Sequence, residues 1–162
     1  MVTATGREQA LEIAGAVRDP ELPVLTIADL GVLRGVDMTD DGTVDVTITP
    51  TYSGCPAMEA IRQDVETALH EAGFPVVRVR TVLAPAWTTD WISERGRAAL
   101  QEYGIAPPGR RGSGPVALTL AVRCPRCGSP QTREISRFGS TACKALWQCR
   151  SCGEPFDHLK TL

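Results

Sequence analysis

Aromatic residues make up only 5% of this 162-residue chain, and it has just two histidines. No apolar run approaches the length that spans a bilayer, and the opening Met1-Val2-Thr3-Ala4-Thr5-Gly6-Arg7-Glu8 has no basic flank leading into an apolar stretch. The expectation is a cytoplasmic protein with no membrane partner. A glycine-rich phosphate loop, a nucleophile elbow and a histidine-carboxylate facial set are all missing, so any independent catalysis would rest on a cysteine. His70 and His158 have no ligand-spaced partner in sequence and read as ordinary residues.

What is present is a 43% apolar composition, enough for one good core and a small appended module, and six cysteines. In a reducing compartment that number points to metal or thiolate chemistry rather than a disulfide framework. The net charge of −2 hides an asymmetry: residues 1–104 carry 8 Lys+Arg against 16 Asp+Glu, and residues 105–162 carry 9 against 3.

The chain is organised around the stretch Thr49-Pro50-Thr51-Tyr52-Ser53-Gly54-Cys55-Pro56-Ala57. Before it, Val44, Val46 and Ile48 alternate with polar residues as in a half-buried strand. After it, Met58, Ile61, Val65, Ala68, Leu69 and Ala72 recur at helical spacing until Gly73. Cys55 thus falls at a helix N-terminus, where unpaired N–H groups and the helix dipole stabilise a thiolate; the spacing predicts a lowered pKa and a reactive, metal-competent sulfur. The alternative is a small buried hydrophobe.

Taken in order, Thr5-Gly6-Arg7-Glu8 has the form of a capping box, and Ala10, Leu11, Ile13, Ala14 and Val17 predict a first helix ending near Arg18. Asp19-Pro20-Glu21-Leu22-Pro23 follows as a stiff turn. Its acids, Asp19 and Glu21, are either metal or hydrogen-bonding groups or, more simply, solvated turn acids. Segments 32–38 and 43–49 flank Asp40-Asp41-Gly42 as a hairpin, and the alternating Val and Arg of 76–80 give a third strand, able to lie parallel to the second through the Cys55 helix. Ser93 is a candidate cap for a last helix with Ile92, Ala99, Leu100 and Tyr103 inward. The fold class is α/β (α+β): helix-strand-strand-helix-strand-helix with a small mixed sheet, occupying residues 1–106.

Pro107-Pro108-Gly109-Arg110-Arg111-Gly112-Ser113-Gly114-Pro115 reads as a linker. Within the module 116–162, Cys124-Pro125-Arg126-Cys127-Gly128 and Cys149-Arg150-Ser151-Cys152-Gly153 are two knuckles about twenty residues apart, the spacing of a four-cysteine zinc ribbon. Zinc is the default ion, although such thiolate sites also accept iron. The glycine after each second cysteine permits positive φ where backbone N–H groups approach the sulfurs. Cys143 stands outside the tetrad, either inert or a thiol beside Lys144. Phe138, Trp147 and Phe156 are expected as the module's own small core.

With Asp19-Pro20-Glu21-Leu22-Pro23, Asp29-Leu30-Gly31, 49–57 and 87–97, the first hundred residues resemble the family of iron-sulfur assembly factors that includes SufT. The ribbon, with Phe138-Gly139-Ser140-Thr141-Ala142-Cys143-Lys144-Ala145 between its knuckles and Glu154-Pro155-Phe156-Asp157 after them, is similar to the PaaD family, components of bacterial phenylacetyl-CoA epoxidase systems. The resemblance implies a non-catalytic accessory role in aerobic phenylacetate breakdown: Asp19, Glu21 and Cys55 would handle iron or an iron-sulfur cluster transiently, and the knuckle cysteines would hold structural zinc. The implied partners are the oxygenase and reductase components, with a homodimer also allowed. The tail 157–162 departs from the more aromatic ending of that group. A structural subunit of the oxygenase is the alternative. A nucleic-acid-binding ribbon, suggested by the basic module, is opposed by the acidic first domain.

Overall fold

The computed structural model describes residues 4–110 and 122–161. Part of the predicted linker, 111–115, and the predicted start of the ribbon, 116–121, lie outside the described residues. The chain divides into two compact units, 1–87 with 91–93, and 88–90 with 94–162. Residues 88–90 and 94–106, grouped in sequence with the first domain, fall in the second unit by this division.

The first unit opens with helix α1, Ala4–Gly15. Thr5 lies inside it rather than at its cap, and its buried residues are Ala10, Ala14 and Gly15, leaving Leu11 exposed. Small residues there let the helix approach strand β1 and helix α3 closely. The chain then turns sharply: Asp19 Oδ1 accepts the N–H groups of Glu21 at 2.8 Å and Leu22 at 2.7 Å. Asp19 is 5% exposed, so the solvated turn acid expected from sequence is instead the buried capping group of its own turn.

A short helix, α2 (Ile27–Leu30), has no apolar period to reveal it. Thr26 caps it and the left-handed Gly31 (φ 78°) ends it. Strands β1 (Leu33–Met38) and β2 (Val44–Ile48) form the predicted hairpin, its turn closed by Asp41 Oδ1, which accepts the Thr39 hydroxyl and, at 3.0 Å, the Thr43 N–H. Helix α3 (Ala57–Glu71) buries Ala57, Ile61, Val65 and Leu69, and β3 (Val77–Thr81) then returns parallel to β2, as expected. The order β1-β2-β3 puts β2 in the centre, with Val44, Val46 and Ile48 buried. The next stretch contains a cis Ala84–Pro85 peptide. Beyond it, Trp87 Nε1 donates to the Leu30 carbonyl at 3.0 Å, and Ser93 donates its hydroxyl to Asp29 at 2.7 Å and its N–H to the Asp29 carbonyl at 2.8 Å. These bonds fasten the segment after β3 onto the Asp29-Leu30-Gly31 turn.

In the second unit helix α4 (Glu94–Tyr103) buries Leu100, whereas Tyr103, predicted inward, is 62% exposed. Arg97 donates to the carbonyls of Thr89 (2.7 Å) and Pro108 (2.6 Å), holding both flanks of the helix. Strands β4 (Ile105–Ala106), β5 (Thr132–Ser136), β6 (Lys144–Cys149) and β7 (Pro155–Leu159) form a sheet in the order β4-β7-β6-β5. Sequence reading gave no sign of β4, two residues long and parallel to β7. Ala106, Cys124, Cys149 and Phe156 make a small core with Val122 and Trp147 packed on it. Phe138, assigned to that core from sequence, is 70% exposed, because it follows the edge strand β5 on a turn. No helix among the described residues is long and apolar enough to cross a membrane.

Candidate functional site

Cys55 sits where β2 hands over to α3. Its N–H donates to the Tyr52 carbonyl at 3.2 Å and its own carbonyl accepts from Met58 at 3.3 Å, so the residue closes a turn and opens the helix. Gly54 precedes it at φ 79°, a conformation that swings the chain into α3 and that L side chains rarely adopt. The N-terminal position predicted from sequence is therefore realised, with Pro56 at the cap.

The predicted electrostatics is not. Burial raises the pKa of the Cys55 thiol above its ordinary value and outweighs the lowering by the Ala57 N–H and the Thr51 hydroxyl; the charges of Glu21 and Asp19 raise it further. Half-burial in an acidic neighbourhood removes more from the thiolate than one helix end returns. Cys55 at neutral pH is a protonated thiol rather than a standing nucleophile.

The same electrostatics connects the three predicted residues: the charges of Asp19 and Glu21, more than thirty positions before Cys55, act on its sulfur. They do not converge to ligand distance. Among the described residues, the one group of three or more His, Cys, Asp or Glu side chains with such closeness is the four-cysteine cluster. Sequence reading missed Thr51, whose hydroxyl lies 3.9 Å from the Cys55 sulfur. Its place four residues upstream, across a Ser-Gly turn, was the available signal.

The knuckle cysteines meet as predicted, with all four sulfurs within 4.8 Å of one another. Cys124 and Cys152 are 3.8 Å apart, and Cys127 and Cys149 3.6 Å. A tetrahedral ion with metal–sulfur bonds of about 2.3 Å places its sulfurs about 3.8 Å apart, so the cage fits one ion and is too small for a multi-iron cluster. Gly128 (φ 73°) and Gly153 (φ 80°) end the two knuckles, their N–H groups donating to the carbonyls of Cys124 (2.9 Å) and Cys149 (3.0 Å). The Cys152 N–H also points at the Cys149 sulfur, at 3.5 Å, and holds that thiol well down, to about 6, ready to ionise for a metal. Cys124 and Cys149 are buried, Cys127 and Cys152 exposed.

The remaining candidates have local roles. Cys143 is buried, with the Thr141 hydroxyl 3.0 Å from its sulfur, while Lys144 donates to Ser140 Oγ at 3.0 Å and lies 3.9 Å from Asp157 Oδ2. Burial lowers His158 to about 4, and its ring packs edge-on against Trp147. Nδ1 of His70 lies 2.9 Å from the Phe74 carbonyl at the end of α3.

Residues 7–82 match the family described as "Iron-sulfur cluster assembly protein" and residues 110–160 that described as "PaaD zinc beta ribbon domain". The chain is 51% identical over 146 residues to an Escherichia coli (strain K12) protein whose name makes it a putative subunit of 1,2-phenylacetyl-CoA epoxidase, covering 90% of this chain and 87% of that one. It is 41% identical over 101 residues to "Fe-S protein maturation auxiliary factor YitW" of Bacillus subtilis (strain 168), covering 57% of this chain and 96% of that one. Among solved structures, a domain of unknown function from Bacillus anthracis superposes with a TM-score of 0.55 at 28% identity, covering 59% of this chain and 92% of that one.

Proposed function

The chain belongs to the PaaD family, joining an iron-sulfur assembly domain to a zinc ribbon, and on that premise we propose that it is a cytoplasmic accessory protein that matures a phenylacetyl-CoA epoxidase. In this reading it is not a catalyst; it handles iron or an iron-sulfur cluster as cargo at Cys55 and passes it to an oxygenase or reductase component.

The observation that supports this most is the half-buried Cys55 at the start of α3, with the charges of Glu21 and Asp19 acting on its sulfur from another loop of the same unit. A sulfur whose pKa is raised binds metal only by giving up a proton, so protons compete with the cargo and keep its hold weak. A carrier needs that weakness; a resident site does not. Asp19 is occupied in shaping its turn, so its part is to set the loop and the local charge, and Glu21 adds a second negative charge that acts on the sulfur. The ribbon cysteines have the opposite character: four sulfurs closed around one position leave no open site, which suits structural zinc.

Co-expression of the epoxidase components with this chain tests the assignment. Cys55→Ser is expected to leave fold and ribbon metal intact and to lower the iron content and activity of the co-expressed oxygenase. Full iron and activity with Cys55→Ser would instead favour a permanently bound structural component, the reading suggested by the name of the Escherichia coli relative.

A further inference from the structure

The hairpin that joins β5 to β6 carries Phe138-Gly139-Ser140-Thr141-Ala142-Cys143-Lys144, a motif that neither the metal cage nor Cys55 uses. Its shape is set several times over. The Gly139 N–H donates to the Lys144 carbonyl at 2.8 Å, and the Lys144 N–H to the Thr141 carbonyl at 3.2 Å. Lys144 is 6% exposed, and its ammonium reaches back to Ser140 Oγ with Asp157 as its counter-charge. A β-carbon on Gly139 would stand 3.2 Å from Asp157 Oδ1 and from the Lys144 β-carbon, so the turn closes against both. Just beyond β7, Lys160 gives its N–H to the Cys143 carbonyl at 2.9 Å and its Nζ to the Arg137 carbonyl at 3.2 Å.

Burying an ammonium is unfavourable, and lysine is rarely buried without partners. Here the buried lysine fixes a turn, and the turn presents Phe138. That ring is 70% exposed, more than any other large apolar side chain among the described residues. Ser136 Oγ accepts the Phe138 N–H at 3.2 Å and donates to the Phe138 carbonyl at 2.9 Å, so the backbone beneath the ring is held as well. Lys160 Nζ stands over the ring, 4.9 Å from its centroid. Ile135, three residues earlier on β5, is 50% exposed. Residues 132–138 with Lys160 carry three cations, Arg133, Arg137 and Lys160, against one acid, Glu134.

We propose that Phe138 anchors a docking surface for a client protein whose matching face is acidic, with an apolar socket for the ring and carboxylates at its rim to meet Lys160 and Arg137. Buried aromatic anchors dominate interfaces, and a turn already fixed in the free protein has little left to order on binding. Cations at the rim speed encounter with an acidic face. A nucleic acid matches less well. Lys160 already covers one face of the ring, a single ring makes no platform for successive bases, and Glu134 repels phosphate. That the client is an epoxidase component rests on the function proposed above; the chemistry of the surface does not.

Surface plasmon resonance of the full chain against the purified oxygenase and reductase components, at low and high ionic strength, tests the proposal. The wild-type chain should bind one of them, with association slowing as salt rises. Phe138→Ala should weaken that binding about tenfold or more, mainly through faster dissociation, and Phe138→Leu should lose less. Arg137→Gln combined with Lys160→Gln should slow association and flatten its salt dependence. Because the ring is exposed, Phe138→Ala should keep the wild-type melting temperature and ribbon metal. Wild-type binding by Phe138→Ala, association indifferent to salt, or no binding of the wild-type chain to any component would overturn the proposal. Phe138-dependent binding to single-stranded DNA or to anionic vesicles in place of a component would overturn it too. Cys55→Ser should dock as the wild type does. Docking is read without iron delivery, and iron delivery without Phe138, so either assignment can fail while the other stands.

Discussion

Gly31 faces Trp91 so closely that a β-carbon on the glycine would stand 2.6 Å from the Trp91 β-carbon and 2.8 Å from its carbonyl oxygen. Gly31 also holds φ 78°, so the position excludes side chains for two separate reasons. Arg34, three residues on, stacks its guanidinium over the Trp91 ring at 3.5 Å. The turn after α2 and the segment after β3 are thereby closed on each other.

Gly31→Ala is expected to destabilise the first unit by about 3 kcal/mol, combining left-handed strain with a clash against backbone atoms that cannot step aside. Urea unfolding measures it, with ribbon metal content unchanged as the control. A loss within error of zero would mean that the turn and Trp91 move apart freely.

The ribbon is expected to bind one zinc ion per chain and to depend on it for folding, since its core is only a handful of residues. Elemental analysis of the purified protein and chelation followed by circular dichroism check this. Cys124→Ser should lose the metal and reduce soluble yield. Retained ribbon structure in excess chelator would contradict the dependence.

Alkylation of Cys55 by iodoacetamide should rise with pH along a curve whose midpoint lies above that of an ordinary free thiol, because burial and acidic neighbours disfavour the thiolate. Glu21→Gln removes one of those negative charges, so the midpoint should fall and the rate at pH 8 should rise. Cys143, buried, should label after Cys55 at every pH. A midpoint below the free-thiol value would restore the activated sulfur that the helix position alone suggested.

The hairpin, helix α3, the parallel return of β3 and the two metal knuckles were legible in the sequence because each is governed by local rules: alternation, helical period, turn glycines and ligand spacing. The composition of the loop around Cys55 marked the joint for the same reason. What the sequence could not determine depends on residues far apart in the chain. The charges of Asp19 and Glu21 act on Cys55 only once β1, β2 and α3 are packed, and with the burial of the sulfur they reverse the pKa shift inferred from the helix end. Strand β4 exists because β7 offers it an edge, and two residues carry no periodicity of their own. Tyr103 and Phe138 look like core residues by type and spacing, yet the first lies on the outer side of α4 and the second on a turn beyond the edge strand. The spacing of residues fixes which groups can share an element, while burial, charge environment and the partner of each edge are properties of the packed whole.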